Sequence, residues 1–174
     1  KLELIKNNLY DFYFYIEKPL IEIIASMEIN GCKINNKHLI DLTEEFSKKI
    51  NLIEDKIFKA SGEKFNVGSP KQLGEMLFSK MSLPFGKKGK SGNFQTDVKV
   101  LEKLKSEKFS IATLILEWRQ FSKLKNTYCE GLLSRESKKT SRIHTSFGMA
   151  STLTGRLSSN DPNLQNIPIK TNEG

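Results

Sequence analysis

The residues of this chain whose types and spacing could do chemistry are hydrogen-bond donors and cations. Ser69-Pro70-Lys71 indicates the start of a helix, because Ser69 can cap it, Pro70 suits its first position and Gln72 can complete a capping box. A helix start offers free backbone N–H groups and a positive dipole end, which suit a phosphate. Lys71 opposes that dipole, so it makes better sense as an added phosphate contact.

Three more cations lie on a predicted helix further along the chain. Lys123 and Lys125 flank Leu124 of its apolar stripe, so both should emerge beside the packed face. Arg119 lies one turn before Lys123 on the same side. These side chains suit phosphate contacts, and the alternative for each is a solvated helix face.

The charge distribution is lopsided. Residues 1–60 have a net charge of −1 and residues 61–174 a net charge of +9, which together give the formal +8. A polyanion-binding surface in the later two-thirds is one interpretation. Solubility in a Lys-rich proteome is the other, and charge alone leaves both open.

Several other classes of protein and site are disfavoured. With 37% hydrophobic and 28% charged residues, the composition is that of a globular protein, and no run of eighteen apolar residues predicts a membrane span. Cys32 and Cys129 have no metal-type spacing, which disfavours a disulfide or zinc site and fits a reducing cytoplasm. His38 and His144 receive no role. Because the sequence begins at Lys1, with neither an initiator Met nor a signal-peptide pattern, we expect a piece of a longer protein.

Two long amphipathic helices must position these groups. Apolar residues recur at steps of three and four in two stretches: Leu39, Leu42, Phe46, Ile50, Ile53 and Ile57, then Leu114, Trp118, Phe121, Leu124, Tyr128 and Leu132. The first helix should be capped by Asn35 and end near Ser61-Gly62. Two such stripes predict an antiparallel helical hairpin. Ahead of it, a helix beginning near Pro19 should end at Asn30-Gly31.

The segment 62–108 should form the far end of the hairpin. It contains two predicted short helices, one beginning at Ser69 and one running from Thr96-Asp97 to Leu104. Between them, Gly86–Gly92 predicts a mobile basic loop. After the hairpin, Arg142–Met149 alternates as a half-buried strand whose sheet partners should lie downstream of this sequence. Residues 152–169 look irregular, and a long irregular loop is usually functional or disordered.

A family resemblance is carried by three ordered blocks and a junction. The blocks are Thr154-Gly155-Arg156-Leu157-Ser158-Ser159-Asn160-Asp161-Pro162-Asn163-Leu164-Gln165-Asn166-Ile167-Pro168, Phe65–Leu73 and Ile115–Tyr128, and the junction is Glu28–Ile34. These segments resemble parts of family A (bacterial DNA polymerase I-like) DNA polymerases. The block around Arg156 resembles the tract before the first catalytic-aspartate motif, and Phe65–Leu73 resembles the thumb tip. Ile115–Tyr128 resembles the helix that returns from the thumb to the palm, and Glu28–Ile34 resembles the junction between the exonuclease-like domain and the thumb.

The resemblance implies an architecture and a division into domains. The expected fold is mainly α, with a long helical hairpin and short helices at its tip, followed by a short β segment and an irregular loop. Residues 1–34 would be the end of an exonuclease-like domain and the base of the thumb. Residues 35–134 would be the thumb, and residues 135–174 a truncated start of the palm.

The resemblance also implies roles for individual residues. Arg156 would contact the minor-groove edge at the primer terminus, and Asn163 and Gln165 would donate to nearby template and primer positions. Purine N3 and pyrimidine O2 occupy similar places in all Watson–Crick pairs, so donors there test pair geometry without reading sequence. The alternative is that Asn163 and Gln165 satisfy backbone groups of the loop. Asn166 could serve either purpose, while Asn66 and Ser69 resemble positions near the duplex backbone.

The implied parent protein is a DNA-directed DNA polymerase of replication and repair. It would use Mg²⁺ and dNTP, bind primer-template duplex DNA, and act as a cytoplasmic, nucleoid-associated monomer. The family's catalytic carboxylates follow later than Gly174, and neither Asp161 nor Glu173 matches them. The fragment should therefore be inactive and hold no metal. The alternatives are a non-catalytic helical nucleic-acid-binding module and a helical scaffold for protein interactions.

Overall fold

The computed structural model describes residues 1–89 and 92–169, and helices dominate this part of the chain. In chain order the α-helices are α1 (Leu2–Lys6), α2 (Tyr10–Phe12), α3 (Lys18–Asn30), α4 (Asn36–Ser61), α5 (Pro70–Gly74), α6 (Val98–Ser106), α7 (Ser110–Lys123) and α8 (Gly131–Leu133). Wider π-type turns cover Tyr13–Glu17, Glu75–Lys80 and Leu124–Glu130, and the strands are β1 (Ser146–Gly148) and β2 (Ser158–Asn160). No helix among the described residues is long and apolar enough to cross a membrane.

The chain divides into two compact units, and Lys37–Glu130 forms one of them. Its frame is α4 packed against the helical run that begins with α7. The ring centroids of Phe46 and Phe121 lie 5.7 Å apart. Further along α4, Ile57 shares a core with Ile111, which precedes Phe121 on α7. Later residues of α4 therefore pack against earlier residues of α7. The predicted antiparallel hairpin is therefore confirmed.

The core of this unit is concentrated at the far end of the hairpin. Leu73 and Leu77 from the first short helical segment and Leu101 and Leu104 from α6 have no exposed surface. They complete a cluster with the ends of the two long helices. Burial of apolar surface of this extent is the main source of stability in a small unit. The two predicted short helices are confirmed, and Asp97 caps α6 by accepting a 3.1 Å bond from the N–H of Val100.

The described residues of the basic segment between the short helices form backbone hydrogen bonds with one another. The N–H of Gln95 donates to the carbonyl of Lys87 at 2.9 Å, and the N–H of Gly89 donates to that of Asn93 at 2.8 Å. The ammonium of Lys88 lies 5.2 Å from the centre of the Phe94 ring. Hairpin-like bonds thus connect the described residues of this segment, and its mobility stays a prediction. Lys90 and Ser91 of that prediction lie outside the described residues.

The other unit joins Lys1–Asn36 to the described residues from Gly131 onward. Gly31 ends α3 with a positive φ of 62°, and its N–H donates to the carbonyl of Met27 at 2.9 Å. The predicted stop at Asn30-Gly31 is thus confirmed. Cys32 and Ile143 then exchange two backbone bonds of 2.8 Å. This isolated bridge attaches the segment before the strand to the end of α3.

The sheet of this unit corrects two expectations. The alternation over Arg142–Met149 predicted one strand, but β1 covers only Ser146–Gly148. Its antiparallel partner is β2, with Phe147 opposite Ser159, in a segment that was expected to be irregular. The carboxylate of Glu28 accepts the N–H of Phe147, the middle residue of β1, at 2.6 Å. The partner expected downstream therefore lies within residues 152–169.

Candidate nucleic-acid interface

Two buried hydroxyl groups hold the tract that follows β1. Ser159 has no exposed surface and Thr145 is 5% exposed. Their oxygens lie 2.7 Å apart, and Thr145 Oγ1 also lies 2.8 Å from the carbonyl of Pro162. The N–H of Leu164 donates to Ser159 Oγ at 3.1 Å. A segment with little regular secondary structure thereby obtains partners for its buried backbone groups.

Arg156 lies on the turn that connects β1 to β2. Its side chain is exposed, and its carbonyl accepts a 2.7 Å bond from the hydroxyl of Thr152. Gly155 has a positive φ of 73°, so the turn needs a residue that tolerates the left-handed region. Ser151 and Ser158 face each other with oxygens 2.5 Å apart at the base of the turn. The guanidinium is carried on a turn fixed by hydroxyl contacts.

Asn163 and Gln165 each bond to the backbone of their own tract. Asn163 Oδ1 accepts from the N–H groups of Gln165 at 3.0 Å and Asn166 at 3.2 Å. Gln165 Nε2 donates to the carbonyl of Leu157 at 2.9 Å. These bonds match the alternative role of satisfying loop backbone. Each amide also carries more donor positions than these bonds use, since an NH₂ group has two.

Glu28 and His144 support this tract, and the sequence interpretation gave neither a role. His144 Nδ1 lies 2.8 Å from the carbonyl of Glu28, which can only accept, so Nδ1 carries a proton. His144 Nε2 lies 2.7 Å from the hydroxyl of Thr140. With the Glu28 carboxylate on the N–H of Phe147, these bonds tie β1 to the end of α3. A lone histidine and a helix-end glutamate give no sequence signal for such a role.

A surface ion pair joins Arg135, which follows α8, to Asp161, which follows β2. Arg135 Nη1 contacts Asp161 Oδ1, and both side chains are more than half exposed. Asp161 takes a positive φ of 50° at its peptide bond with Pro162, which is cis. Exposed pairs of this kind contribute little stability. This contact accounts for Asp161, which the sequence interpretation left without a role.

The start of α5 forms a second group of candidate residues. Ser69 Oγ accepts from the N–H of Gln72 at 3.5 Å, as expected of the cap. Gln72 does not close the expected capping box, because its Oε1 accepts from the N–H of Asn66 at 2.8 Å instead. Asn66 Oδ1 accepts from the N–H of Gly68 at 2.9 Å. Asn66 and Lys71 are exposed at this helix start.

The cations on the return helix have different surroundings. Lys123 is exposed, whereas Lys125 Nζ lies 3.6 Å from a carboxylate oxygen of Glu130. The guanidinium of Arg119 donates to the carbonyl and the hydroxyl of Thr96, at 2.5 and 3.3 Å. Burial lowers the pKa of Arg119, while the charge of Asp97 opposes that shift. Arg119 is thus committed to an internal contact that the sequence interpretation missed.

The predicted residues fall into separate groups. Arg156, Asn163, Gln165 and Asn166 share one tract of the unit that contains β1 and β2, and Asn66, Ser69 and Lys71 share one helix start of the unit Lys37–Glu130. Arg119, Lys123 and Lys125 follow one another along the return helix. Within the described residues, no three His, Cys, Asp or Glu side chains are grouped closely enough to hold a metal ion. The candidate residues in the described part of the chain are thus hydrogen-bond donors and cations.

Comparison with known proteins assigns the sequence to a family. Residues 36–174 match the model described as DNA polymerase family A. The sequence is 44% identical over 174 residues to the "DNA polymerase I" of Rhizobium leguminosarum, covering 100% of this chain and 17% of that protein. It is 47% identical over 174 residues to the "DNA polymerase I" of Caldicellulosiruptor bescii, covering 99% and 20%. The chain therefore spans a fifth or less of the length of these relatives.

A solved structure has the same fold as this chain. It is described as "POL domain of Pol1 from M. smegmatis complex with DNA primer-template and dNTP". The TM-score is 0.85 at 34% sequence identity, and the match covers 99% of this chain and 30% of that one. The similarity therefore covers nearly the whole chain, including residues that precede the family-model match.

Proposed function

The chain belongs to DNA polymerase family A, and we propose that it is the part of a DNA-directed DNA polymerase that grips the primer-template duplex. In this assignment residues 1–34 end an exonuclease-like domain and form the base of the thumb. Residues 35–134 are the thumb, and 135–174 begin the palm. The compact unit Lys37–Glu130 supports the thumb assignment. The parent enzyme acts in replication and repair as a monomer in the bacterial cytoplasm, at the nucleoid.

One observation carries the proposal: Arg156, Asn163 and Gln165 are exposed on a tract whose backbone is fixed from below by buried hydroxyls. A polymerase must accept every sequence, so its check has to use what all correct pairs share. The minor-groove acceptors occupy similar places in every Watson–Crick pair. Donors on a fixed backbone test that geometry, because a mispaired base moves its acceptor.

The grip on the duplex comes from phosphate contacts, which are independent of sequence. Lys71 and Lys123 are exposed cations on helices with buried faces, and Asn66 adds an exposed amide beside Lys71. Ser69 contributes through the helix start that it caps. Lys125, Arg119 and Asn166 are secondary members of the interface. Each has contacts within the protein that it would share with DNA or exchange for it.

The metal-dependent chemistry belongs to parts of the parent outside this sequence. Family A polymerases use divalent metal ions, and phosphoryl transfer by two metals needs carboxylates that bridge them. We assign this part no catalytic step, because neither Asp161 nor Glu173 matches the family's catalytic carboxylates. Mg²⁺ and dNTP would bind only in the intact enzyme. The activity of this part alone is proposed to be nil.

The test is the salt dependence of binding. The purified chain is titrated into fluorescently labelled primer-template duplexes of several sequences, and anisotropy is followed from low to high salt. We expect weak binding with a log–log slope of several units, because displaced counterions favour association, and equal affinity for all sequences. Binding that survives high salt, or that prefers one sequence, would contradict the proposal.

A second candidate is a non-catalytic helical module that binds nucleic acid through the same surfaces. It predicts the same salt dependence, so binding alone does not separate the two. Reading the gene beyond Gly174 does. A strand bearing an aspartate within a few tens of residues decides for the polymerase, whereas a stop codon there decides for the module.

A further inference from the structure

The hydroxyl groups of Thr145 and Ser159 are unusual because they are polar and buried. Among the described residues only three polar side chains are buried, and these are two of them. A buried polar side chain is costly unless it is fully bonded, so a pair on facing segments indicates a specific requirement. The apolar pair Val and Ala would fill this space without that cost. The hydroxyls therefore do something that packing alone does not need.

Their contacts form one continuous chain of hydrogen bonds. The N–H of Leu164 donates to Ser159 Oγ at 3.1 Å, and Ser159 Oγ lies 2.7 Å from Thr145 Oγ1. Thr145 Oγ1 lies 2.8 Å from the carbonyl of Pro162 and 2.9 Å from that of Asn160. Since each hydroxyl has one proton, Ser159 can donate to Thr145 while Thr145 donates to Pro162. The Leu164 N–H, the two hydroxyls and the Pro162 carbonyl then each have a partner.

This series of hydrogen bonds ends on the two residues that flank Asn163 in the sequence. Pro162 precedes it and Leu164 follows it, and each is tied to the hydroxyl pair. The orientation of the Asn163 backbone is therefore set from both sides. Asn163 Oδ1 in turn accepts the N–H of Gln165, so the position of the second amide depends on the first. The hydroxyls act on both exposed amides without touching anything outside the protein.

We propose that Thr145 and Ser159 are positioning residues for base-pair checking, and that they act through Asn163 and Gln165. This inference rests on the proposed minor-groove role of those amides. Removing the Ser159 hydroxyl leaves the Leu164 N–H without its partner. Removing the Thr145 hydroxyl takes away the 2.8 Å donor to the Pro162 carbonyl and leaves that carbonyl only the longer 3.3 Å contact with Ser159 Oγ. The tract then loses the constraint that aims the amides. Checking should weaken while the cations that hold the duplex stay in place.

The experiment uses the full-length polymerase and a base analogue that lacks one acceptor. Guanine is replaced by 3-deazaguanine, which has no N3 acceptor, at successive primer and template positions near the terminus, and single-turnover extension is measured. The wild-type enzyme should be slowed at the positions that the amides contact. Gln165→Ala and Asn163→Ala should lose that sensitivity. In Ser159→Ala the slowing caused by the analogue should be reduced roughly three- to tenfold, which is the range for one neutral hydrogen bond.

A double substitution separates positioning from general stability. Ser159→Ala combined with Gln165→Ala should be no less sensitive to the analogue than Gln165→Ala alone, because both remove the same contact. Thr145→Ser keeps the hydroxyl and should retain the sensitivity, whereas Thr145→Val should lose it. The matched control is Ser47→Ala, which removes a hydroxyl bonded at 2.7 Å to the carbonyl of Thr43 within α4. It should leave the sensitivity unchanged.

The outcomes distinguish this inference from the proposed function. If Ser159→Ala and Thr145→Val extend slowly but keep the full response to the analogue, the hydroxyls are merely structural and the inference is overturned. If Asn163→Ala and Gln165→Ala also keep the full response, the minor-groove role fails and the inference with it. Should Ser159→Ala not fold, the comparison of Thr145→Ser with Thr145→Val still decides.

Discussion

The indole N–H of Trp118 donates a 2.8 Å hydrogen bond to the carboxylate of Glu54, joining the two long helices of one unit. Both side chains are partly buried. We expect Glu54→Ala to lower the free energy of unfolding by about 1–2 kcal/mol, because the indole N–H loses its partner. Urea unfolding of the purified chain, followed by the fluorescence of Trp118, its only tryptophan, measures the change.

The matched control is Glu44→Ala, which removes an exposed carboxylate from the same helix. It should change the stability by less than about 0.5 kcal/mol. Equal losses for the two variants would mean that the indole contact contributes nothing beyond the general effect of removing a charge from α4.

Gly31 occupies a position that no other residue should tolerate. An added Cβ would lie 2.6 Å from the carbonyl oxygen of Ile143 and 2.8 Å from Nδ1 of His144. Gly31→Ala should therefore lower the thermal stability of its unit by far more than backbone strain alone. Gly155→Ala is the control, since its φ of +73° is similar but nothing lies within 4 Å. We expect about 1–2 kcal/mol for the control and at least twice that for Gly31→Ala, measured by circular dichroism.

The long-range frame of this protein could be predicted from its sequence because the signals are periodic. The apolar stripe that begins at Leu39 predicts a helix from its spacing alone, and α4 carries it. Asn30-Gly31 predicts a helix end from residue type alone, and α3 ends there. The pairing of the two stripes also follows, since each needs an apolar surface to cover it.

The short-range details of the candidate site could not be predicted in the same way. Ser159 stands in a run of small polar residues that is typical of a loop, and only its contact with Thr145, fourteen residues earlier, makes it buried. Gln72 fits a capping box, yet its carboxamide serves the N–H of Asn66. Where a polar side chain has several possible partners, tertiary contacts choose among them, and spacing along the sequence does not record the choice.

Arg119 and Lys123 lie one turn apart on α7 but should respond differently to truncation. Arg119→Ala removes the donors to buried Thr96, so we expect about 1–3 kcal/mol of lost stability. Lys123→Ala should leave stability within about 0.5 kcal/mol and reduce the salt slope of duplex binding by about 1. Urea unfolding and anisotropy titrations test both. A stable Arg119→Ala variant with the reduced slope would show that Arg119 binds phosphate and that its contact with Thr96 is incidental.

Arg156 is exposed on a turn held by Thr152, and its substitution should separate checking from gripping. In the full-length polymerase, Arg156→Ala should slow extension roughly tenfold to a hundredfold, most strongly from a mismatched terminus, because one charged donor to the base pair is lost. Duplex affinity should change little, since phosphate contacts supply most of it. Single-turnover extension and anisotropy give the two quantities separately.

Two further variants sharpen the test of Arg156. Arg156→Lys keeps the charge but loses the planar fork, so it should recover only part of the rate. Lys139→Ala removes an exposed cation from the same unit and should leave extension from a matched terminus unchanged. If Arg156→Ala extended primers normally while weakening duplex binding, the side chain would be a phosphate contact. Arg156 would then hold the duplex by its charge and would have no part in judging the shape of a base pair.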